Sequence, residues 1–476
     1  MRRTTTTRRT ISVTAALLVG ALIAVACDYV YPPFLLRVDQ PVVMTGADIP
    51  DAIGLDPDRA TLWRYDNGWV QIPVQVDERH VIDFGSQPSN NNTAGVDGTV
   101  YGNGNSGVTA LQYSDPDTFV GADPDSTFDA DDEIAFMGRD AGAQAPGGLA
   151  KPPGTVGGSG REITLVDPDG GTPGYVYLWY GQVGADPSAG EDYVDYDFVL
   201  DSGDYKTTYK RADGPNAESS TVSTHAYDLG MIDRWKTTDL TPADGTGVDV
   251  LDGFKSRFSF FTCARSNHTF ANAHGAFVAN IDGPVRAIRA YVGANSGPLT
   301  QTTWYFYPEQ IEQVIDLRVH AIPSVMSFID FSSAATGMEY GNSAMGGATA
   351  TIDGNPAGDN VPTSLATWEY ASGPQGGITV VTDLSTNITL TQAREWVDDT
   401  TPPYTECWGD DGDYYGVNSS KITSSIPNTD PRSSPFDTLQ ARTIVGVWAP
   451  GVHLDDWTPA WASEAQQRLD VSVSSY

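Results

Sequence analysis

The sequence predicts an all-β protein made of two β-sandwich-type domains, the second a large two-sheet sandwich, with few short helices. Three observations carry that expectation. Apolar and polar residues alternate with strand period at Ile72-Pro-Val74-Gln-Val76, Ile163-Thr-Leu165 and Val471-Ser-Val473. Turn formers are abundant, with 49 Gly and 31 Pro among 476 residues, too many for a helical bundle. Helical signals are sparse, and the best is residues 457–469 (WTPAWASEAQQRL), with Asp456 placed to cap it.

Taken in order, residues 1–10 carry four arginines and no acid, and an apolar stretch follows over residues 13–26. About 14 mostly apolar residues fall short of the roughly 20 that span a bilayer, so residues 1–26 are expected to be an export signal. Ala24-Val25-Ala26-Cys27 resembles the lipobox of bacterial lipoproteins, although Ala24 stands where Leu is commonest. That resemblance implies a lipid anchor on Cys27 and a location in the cell envelope or on the cell surface. Residues 7–11 (TRRTI) also resemble a twin-arginine signal.

A first β-domain is expected over 27–185. Its strand Ile134-Ala-Phe136 alternates large and small residues. Its end is a hairpin over 161–182, turning at DPDGG (167–171) before the doubly apolar run Tyr175-Val-Tyr-Leu-Trp-Tyr180. Residues 85–128 and 143–160 read as long loops. After the acidic link GADPSAGEDYVDYD, a second β-region runs over 191–476, long enough for two large packed sheets.

Charge narrows the function. With 27 Lys plus Arg against 61 Asp plus Glu, the net charge is −34, and removing residues 1–26 with their four arginines makes it −38. Nucleic-acid binding and polybasic attachment to anionic lipid are excluded, because both need a cationic footprint. With Cys27 lipidated, only Cys263 and Cys407 remain. An exported pair in an oxidising compartment most simply forms one disulfide. It would close a loop of 144 residues (407 − 263), worth about 4–5 kcal/mol in the chain-entropy reading. Two free buried thiols are the alternative.

Candidate chemistry falls in five places. Strand alternation over 313–320 sets Ile315, Leu317 and Val319 toward a core and puts Asp316, Arg318 and His320 on the other face. A carboxylate, guanidinium and imidazole in that row suit an acidic sugar, with His320 for proton transfer. Arg286 and Arg289, three apart, fall on opposite faces of one strand, Arg286 sharing its face with Ile288 and Ala290 as an ion-paired, half-buried group. His268 lies in a loop-like stretch after Cys263. Asp123, Asp125, Asp129 and Asp131 alternate in an acidic loop that suits calcium, without the glycine an EF-hand needs at its sixth position, where Phe128 stands. Trp396, Trp408, Tyr414 and Tyr415 flank acids around Cys407, a pattern suited to stacking on sugar faces.

DDEIAFMGRDAG, GYVYLWYG and GPVRAIRAYVGANSG resemble segments of uncharacterised secreted bacterial β-proteins. The second half is similar to the large β-sandwich domains of polysaccharide lyases and mutarotase-like proteins. The resemblance implies a carbohydrate-facing groove on a sheet. The expectation is a cell-surface lipoprotein that binds a polysaccharide, with lyase-type cleavage by His320 or His268 and Arg318 as the enzymatic version. The alternative is a non-catalytic envelope protein, stabilised by calcium and a disulfide, in adhesion or assembly.

Overall fold

The structure, a computed structural model, describes residues 37–84, 107, 109–201, 218–233, 236–260, 263–266, 276–292, 300–317, 324–401, 414–426 and 439–476. The first part of the chain forms β1 (Pro41–Thr45), β2 (Ala60–Tyr65), β3 (Trp69–Ile72), β4 (Gln75–Asp77), β5 (Arg79–Asp83), β6 (Thr109–Tyr113), β7 (Glu133–Met137), β8 (Thr155–Val166) and β9 (Gly174–Gly181). Next come β10 (Asp195–Asp197), β11 (Ser220–Ser223), β12 (Tyr227–Asp233) and β13 (Lys236–Pro242). The rest contributes β14 (Leu251–Phe260), β15 (Cys263–Ser266), β16 (Ala276–Ile281), β17 (Ala287–Val292), β18 (Thr300–Phe306), β19 (Gln310–Leu317) and β20 (Ser324–Phe331). It continues with β21 (Glu339–Asn342), β22 (Ala350–Thr351), β23 (Glu369–Gly373), β24 (Gly376–Thr386), β25 (Gln392–Asp399), β26 (Tyr414–Ile422) and β27 (Leu439–Trp448). Helix α1 (Leu454–Gln466) and β28 (Asp470–Ser475) complete it.

The dominant layer is a nine-stranded sheet in the order β16-β17-β18-β19-β27-β24-β23-β21-β22. Against its inner face pack a five-stranded sheet, β15-β14-β20-β26-β25, and a four-stranded one, β10-β11-β12-β13. Phe306, Ile311, Ile378 and Val445 from the large sheet meet Ile329, Phe331, Val222 and Leu229 in one core. This is the large sandwich the sequence predicts. A smaller core gathers Met44, Leu62, Ile134, Phe136, Ile163 and Leu165 between the sheets β28-β8-β9-β2-β3 and β1-β7-β4. The expected hairpin forms as β8 paired with β9, and the 175–180 run is buried on both faces apart from Tyr175 and Tyr180, which are half-buried.

Several details differ from the sequence reading. The stretches 85–128 and 143–160, expected as loops, contain β6 (Thr109–Tyr113) and the start of β8 at Thr155. The helix starts at Leu454, three residues before Trp457, with His453 as N-cap and Asp456 inside the first turn, where both Asp455 and Asp456 favour the positive end of the helix. The stretch Ile72 to Val76 is two short strands, because Pro73 has no N–H to give a ladder. The last strand also crosses the boundary at 185–191: β28 pairs with β8 from Asp470↔Val166 to Ser475↔Arg161.

One buried acid makes the fold sensitive to pH. Asp140 is 5% exposed; its Oδ1 accepts from Tyr193, and its Oδ2 has no hydrogen-bond partner. Burial pushes this carboxyl up to about 6, against the Tyr193 hydrogen bond and the charges of Arg64 and Arg139. A carboxyl raised above its unfolded value stabilises the fold while protonated, and that contribution is lost as pH rises from about 4 through 6. Asp140→Asn is therefore expected to gain stability at pH 8 by about 1 kcal/mol more than at pH 5, measured by urea unfolding at both pH values.

Candidate functional site: an open polar cleft on the large sheet

The outer face of the nine-stranded sheet is covered by apolar packing at two places, with a polar cleft between them. Over β16 and β17, Ile82 of β5, Tyr113 of β6, and Phe84, Phe119 and Val120 pack on Ala276, Val278, Ile288, Ala290 and Val292. Over β24 and β27, α1 packs Trp461, Ala462 and Ala465 on Val381 and Ile444. Between these covers lies an open cleft of about 600 Å³ whose floor is the outer face of β18, β19 and β27.

Strand register builds the floor in three rows. Tyr305 of β18 faces Glu312 of β19, Thr303 faces Val314, and Gln301 faces Asp316. On the far side, Val314 pairs with Arg442 and Asp316 with Gln440 of β27. Residues two apart on a strand share a face and lie about 7 Å from one another, so these side chains stand on one platform. The alternation expected from the sequence holds over 311–317: Ile315 and Leu317 are buried, and Asp316 lines the cleft. Arg318 and His320, which follow Asp316 in the expected row, lie outside the described residues.

At one end the cleft is strongly charged. Glu312, 5% exposed, receives Nε of Arg442 at 2.5 Å and Nη2 at 3.0 Å, and Nη2 of Arg468 at 3.0 Å. Burial alone would raise its pKa, but the Arg442 hydrogen bonds and the charges of Arg468, Arg442 and Arg286 outweigh it and hold the carboxyl below its ordinary value. Beneath lies a second group. Arg286 donates to Asp77 at 2.6 Å and to Glu133 at 2.6 Å, while Nη1 of Arg79 lies 2.6 Å from the other oxygen of Glu133. Tyr113 donates its hydroxyl to Glu133 at 2.8 Å. Glu133 too is held below its ordinary value, the two guanidiniums overcoming its burial. The other end carries amides: Gln440 donates to Asp316 at 2.9 Å, and Gln301 to Gln112 at 2.8 Å.

The arginine pair expected on opposite faces is found so. Arg286 points to the cleft side, and Arg289 points into the main core, where Glu218 receives it at 2.5 Å and 2.8 Å. Both are buried, at 2% and 1% exposed, so the half-buried state expected of Arg286 gives way to full burial.

The other expected site residues are elsewhere. Trp396 is half-buried, stacked on Tyr340 at 4.2 Å between centroids, and its indole donates to Asp359 at 2.8 Å. Tyr414 is 1% exposed and Arg257 donates to its hydroxyl at 2.6 Å, so its ring faces the interior and not a sugar. Tyr415 is half-buried against the main core. Trp408, His268, Cys27 and Cys407 lie outside the described residues. The Cys263 backbone belongs to β15.

In the acidic loop the carboxylates serve local turns. Asp123 accepts from the Asp125 amide at 2.8 Å, Asp125 from Thr127, and Asp129 from the Asp131 amide at 2.9 Å. Contact with the Asp129 carboxyl lifts Asp131 to about 6, and Asp129 is lowered. Among the described residues, no group of three or more His, Cys, Asp or Glu is arranged to hold a metal.

No protein-family model and no curated protein matches the chain. Among solved structures it is similar to a protein in glycosyl hydrolase family 38 from Enterococcus faecalis, at 8% identity and a TM-score of 0.41, over 93% of this chain and 46% of that one. An alpha-mannosidase from the same organism gives 10% identity and 0.34, over 90% of this chain and 47% of that one. A family GH92 alpha-mannosidase from Bacteroides thetaiotaomicron gives 9% and 0.28, over 58% and 32%. The chain spans less than half the length of each of these structures.

Proposed function

We propose that the protein is an exported, lipid-anchored envelope protein whose open cleft binds a polysaccharide. The cleft itself supports this reading: about 600 Å³, open to solvent, floored by a rigid sheet and lined by amides, carboxylates, hydroxyls and the Tyr305 ring. Sugar hydroxyls donate to carboxylates and accept from amides, and Asp316 with Gln440 offers both at the exposed edge. The described lining includes no imidazole, and its buried carboxylates are ion-paired, so binding is the activity it favours.

A thermal-shift and calorimetric screen of the processed protein against neutral and acidic polysaccharides tests the proposal. The double variant Asp316→Ala/Gln440→Ala is expected to weaken glycan binding about thirtyfold, since each lost hydrogen bond is worth roughly 1 kcal/mol. Its melting temperature should hardly move, because neither residue is buried. No glycan response from the parent protein would sink the reading. Lyase turnover by His320 or His268 with Arg318 is the enzymatic extension, read as ultraviolet absorbance of unsaturated products.

Calcium joins the proposal through the neighbouring Asp129 and Asp131 carboxylates, which a divalent cation would bridge. Backbone carbonyls and waters would complete its shell. Added calcium is expected to raise the melting temperature more at pH 7.5 than at pH 5.5, as Asp131 deprotonates above about 6. Asp129→Asn/Asp131→Asn should remove the response; an unchanged response would place the ion elsewhere.

A further inference from the structure

The charges lining the cleft are not evenly matched along its length, and the mismatch selects a ligand. The deep group is balanced: Arg79 and Arg286 face Asp77 and Glu133. The shallower group is not, since a single carboxylate, Glu312, carries both Arg442 and Arg468. Asp383 of β24 stands opposite Arg442 and draws on its charge, so among the described residues Arg468 is the guanidinium left with only a shared anion. Asp316 lies four residues along β19, about 13 Å away by strand geometry, and is bonded to the neutral Gln440. It is too distant to answer that charge.

Arg468 is also the group best placed to meet a ligand. Its side chain is 42% exposed, and one Nη2 hydrogen goes to Glu312, its partner among the described residues. A guanidinium has five donors, so most of its fork faces the cleft. Arg442 uses Nε and Nη2 on Glu312, which leaves Nη1 directed away from that carboxylate. In a chain of net charge −34, a half-exposed guanidinium that shares a buried carboxylate with a second arginine is an unusual local field.

We infer that the cleft takes an acidic glycan, with the carboxylate or sulfate of one sugar received by Arg468 and Arg442 over Glu312. This rests on the reading of the cleft as a glycan site and adds the charge class to it. The planar fork of Arg468 suits a carboxylate in bidentate contact, while the next sugar's hydroxyls reach the Asp316–Gln440 end.

Calorimetry on the processed protein tests this with matched pairs of polymers: polygalacturonate against its methyl ester, and dextran sulfate against dextran. The acidic member of at least one pair should bind at least tenfold more tightly at low salt, and the excess should shrink as salt rises. The carboxylate and sulfate pairs tell which anion is preferred. Arg468→Gln should remove the excess of the acidic member over its neutral partner, and Arg468→Lys should keep part of it. Because Arg468 is exposed, unfolding curves of both variants should match the parent. Equal binding of acidic and neutral members overturns the inference and leaves the glycan reading in place. An acidic preference that survives Arg468→Gln overturns the assignment to this arginine. Binding by none of the polymers overturns both.

Discussion

Arg286→Met is expected to lower folding stability by about 3–5 kcal/mol, the largest effect of any single substitution in the cleft. The side chain is 2% exposed, and it is the cation between two buried carboxylates, Asp77 at 2% and Glu133 at 8% exposure. Removing it leaves Asp77 without its cation and Glu133 with Arg79 alone. Two more links fail with it, the contact to the Tyr307 hydroxyl and the position of its guanidinium over the Tyr305 ring. Asp77 and Glu133 belong to β4 and β7 and Arg286 precedes β17, so the loss also loosens the seam between the smaller sheets and the large one. The double variant Asp77→Leu/Arg286→Met separates the causes: it should recover a good part of the loss, because the remaining carboxylate keeps Arg79. Urea unfolding of the three proteins measures this. A double variant no more stable than Arg286→Met would mean that packing, not the stranded charge, sets the penalty.

Deleting residues 470–476 is expected to cost several kcal/mol and to unfold the sheet β28-β8-β9-β2-β3 ahead of the large sandwich. Six residue pairs join β28 to β8, so the deletion strips a full edge ladder from that sheet. The terminal Tyr476 is set among aromatic rings, 5.0 Å from Tyr177, 5.7 Å from Trp69 and 6.2 Å from Trp179, all edge-on. Edge-to-face pairs are each worth about 0.5–1.5 kcal/mol, so the ring alone contributes roughly 2–3 kcal/mol. Its hydroxyl donates to the Pro146 carbonyl and its amide to that of Gly160. Hydrogen exchange should show early opening at Ile163 and Leu165 while Val445 and Ile311 stay protected. Uniform loss of protection across both sheets would mean that they unfold as one unit.

Local pattern was enough to read several of the strands, though not β6 or the start of β8, and distance along the chain explains much of what it hid. Alternation over 313–317 put Asp316 on the open face, because a strand's faces follow from sequence parity alone. The same parity separated Arg286 from Arg289. No such rule links Glu312 to Arg442 and Arg468, which are 130 and 156 positions away and meet only because β27 lies beside β19 and the chain then turns back past α1. Asp77 and Glu133 are likewise invisible as partners of Arg286 until β4, β7 and β17 come together. The aromatic cluster around Trp396 misled for a different reason. Aromatic residues among acids look the same whether the rings face water or a core, and here Tyr414 supplies an interior hydroxyl to Arg257.

The start and finish of the described chain are fastened to each other. Arg37 bonds Asp167, Asp169 and the Gln467 carbonyl, and the Gln40 side chain donates to the Glu464 carbonyl and accepts from the Leu469 amide. Cys27 stands ten positions before Arg37, at most about 35 Å of chain. If Cys27 is anchored in a membrane, a tug on it enters the described chain at the Arg37 clasp and passes into the turn between β8 and β9 and the end of α1. The platform of β18, β19 and β27 lies off that line of tension. A protein holding a polymer at the cell surface would then strain at its mooring before its grip deformed.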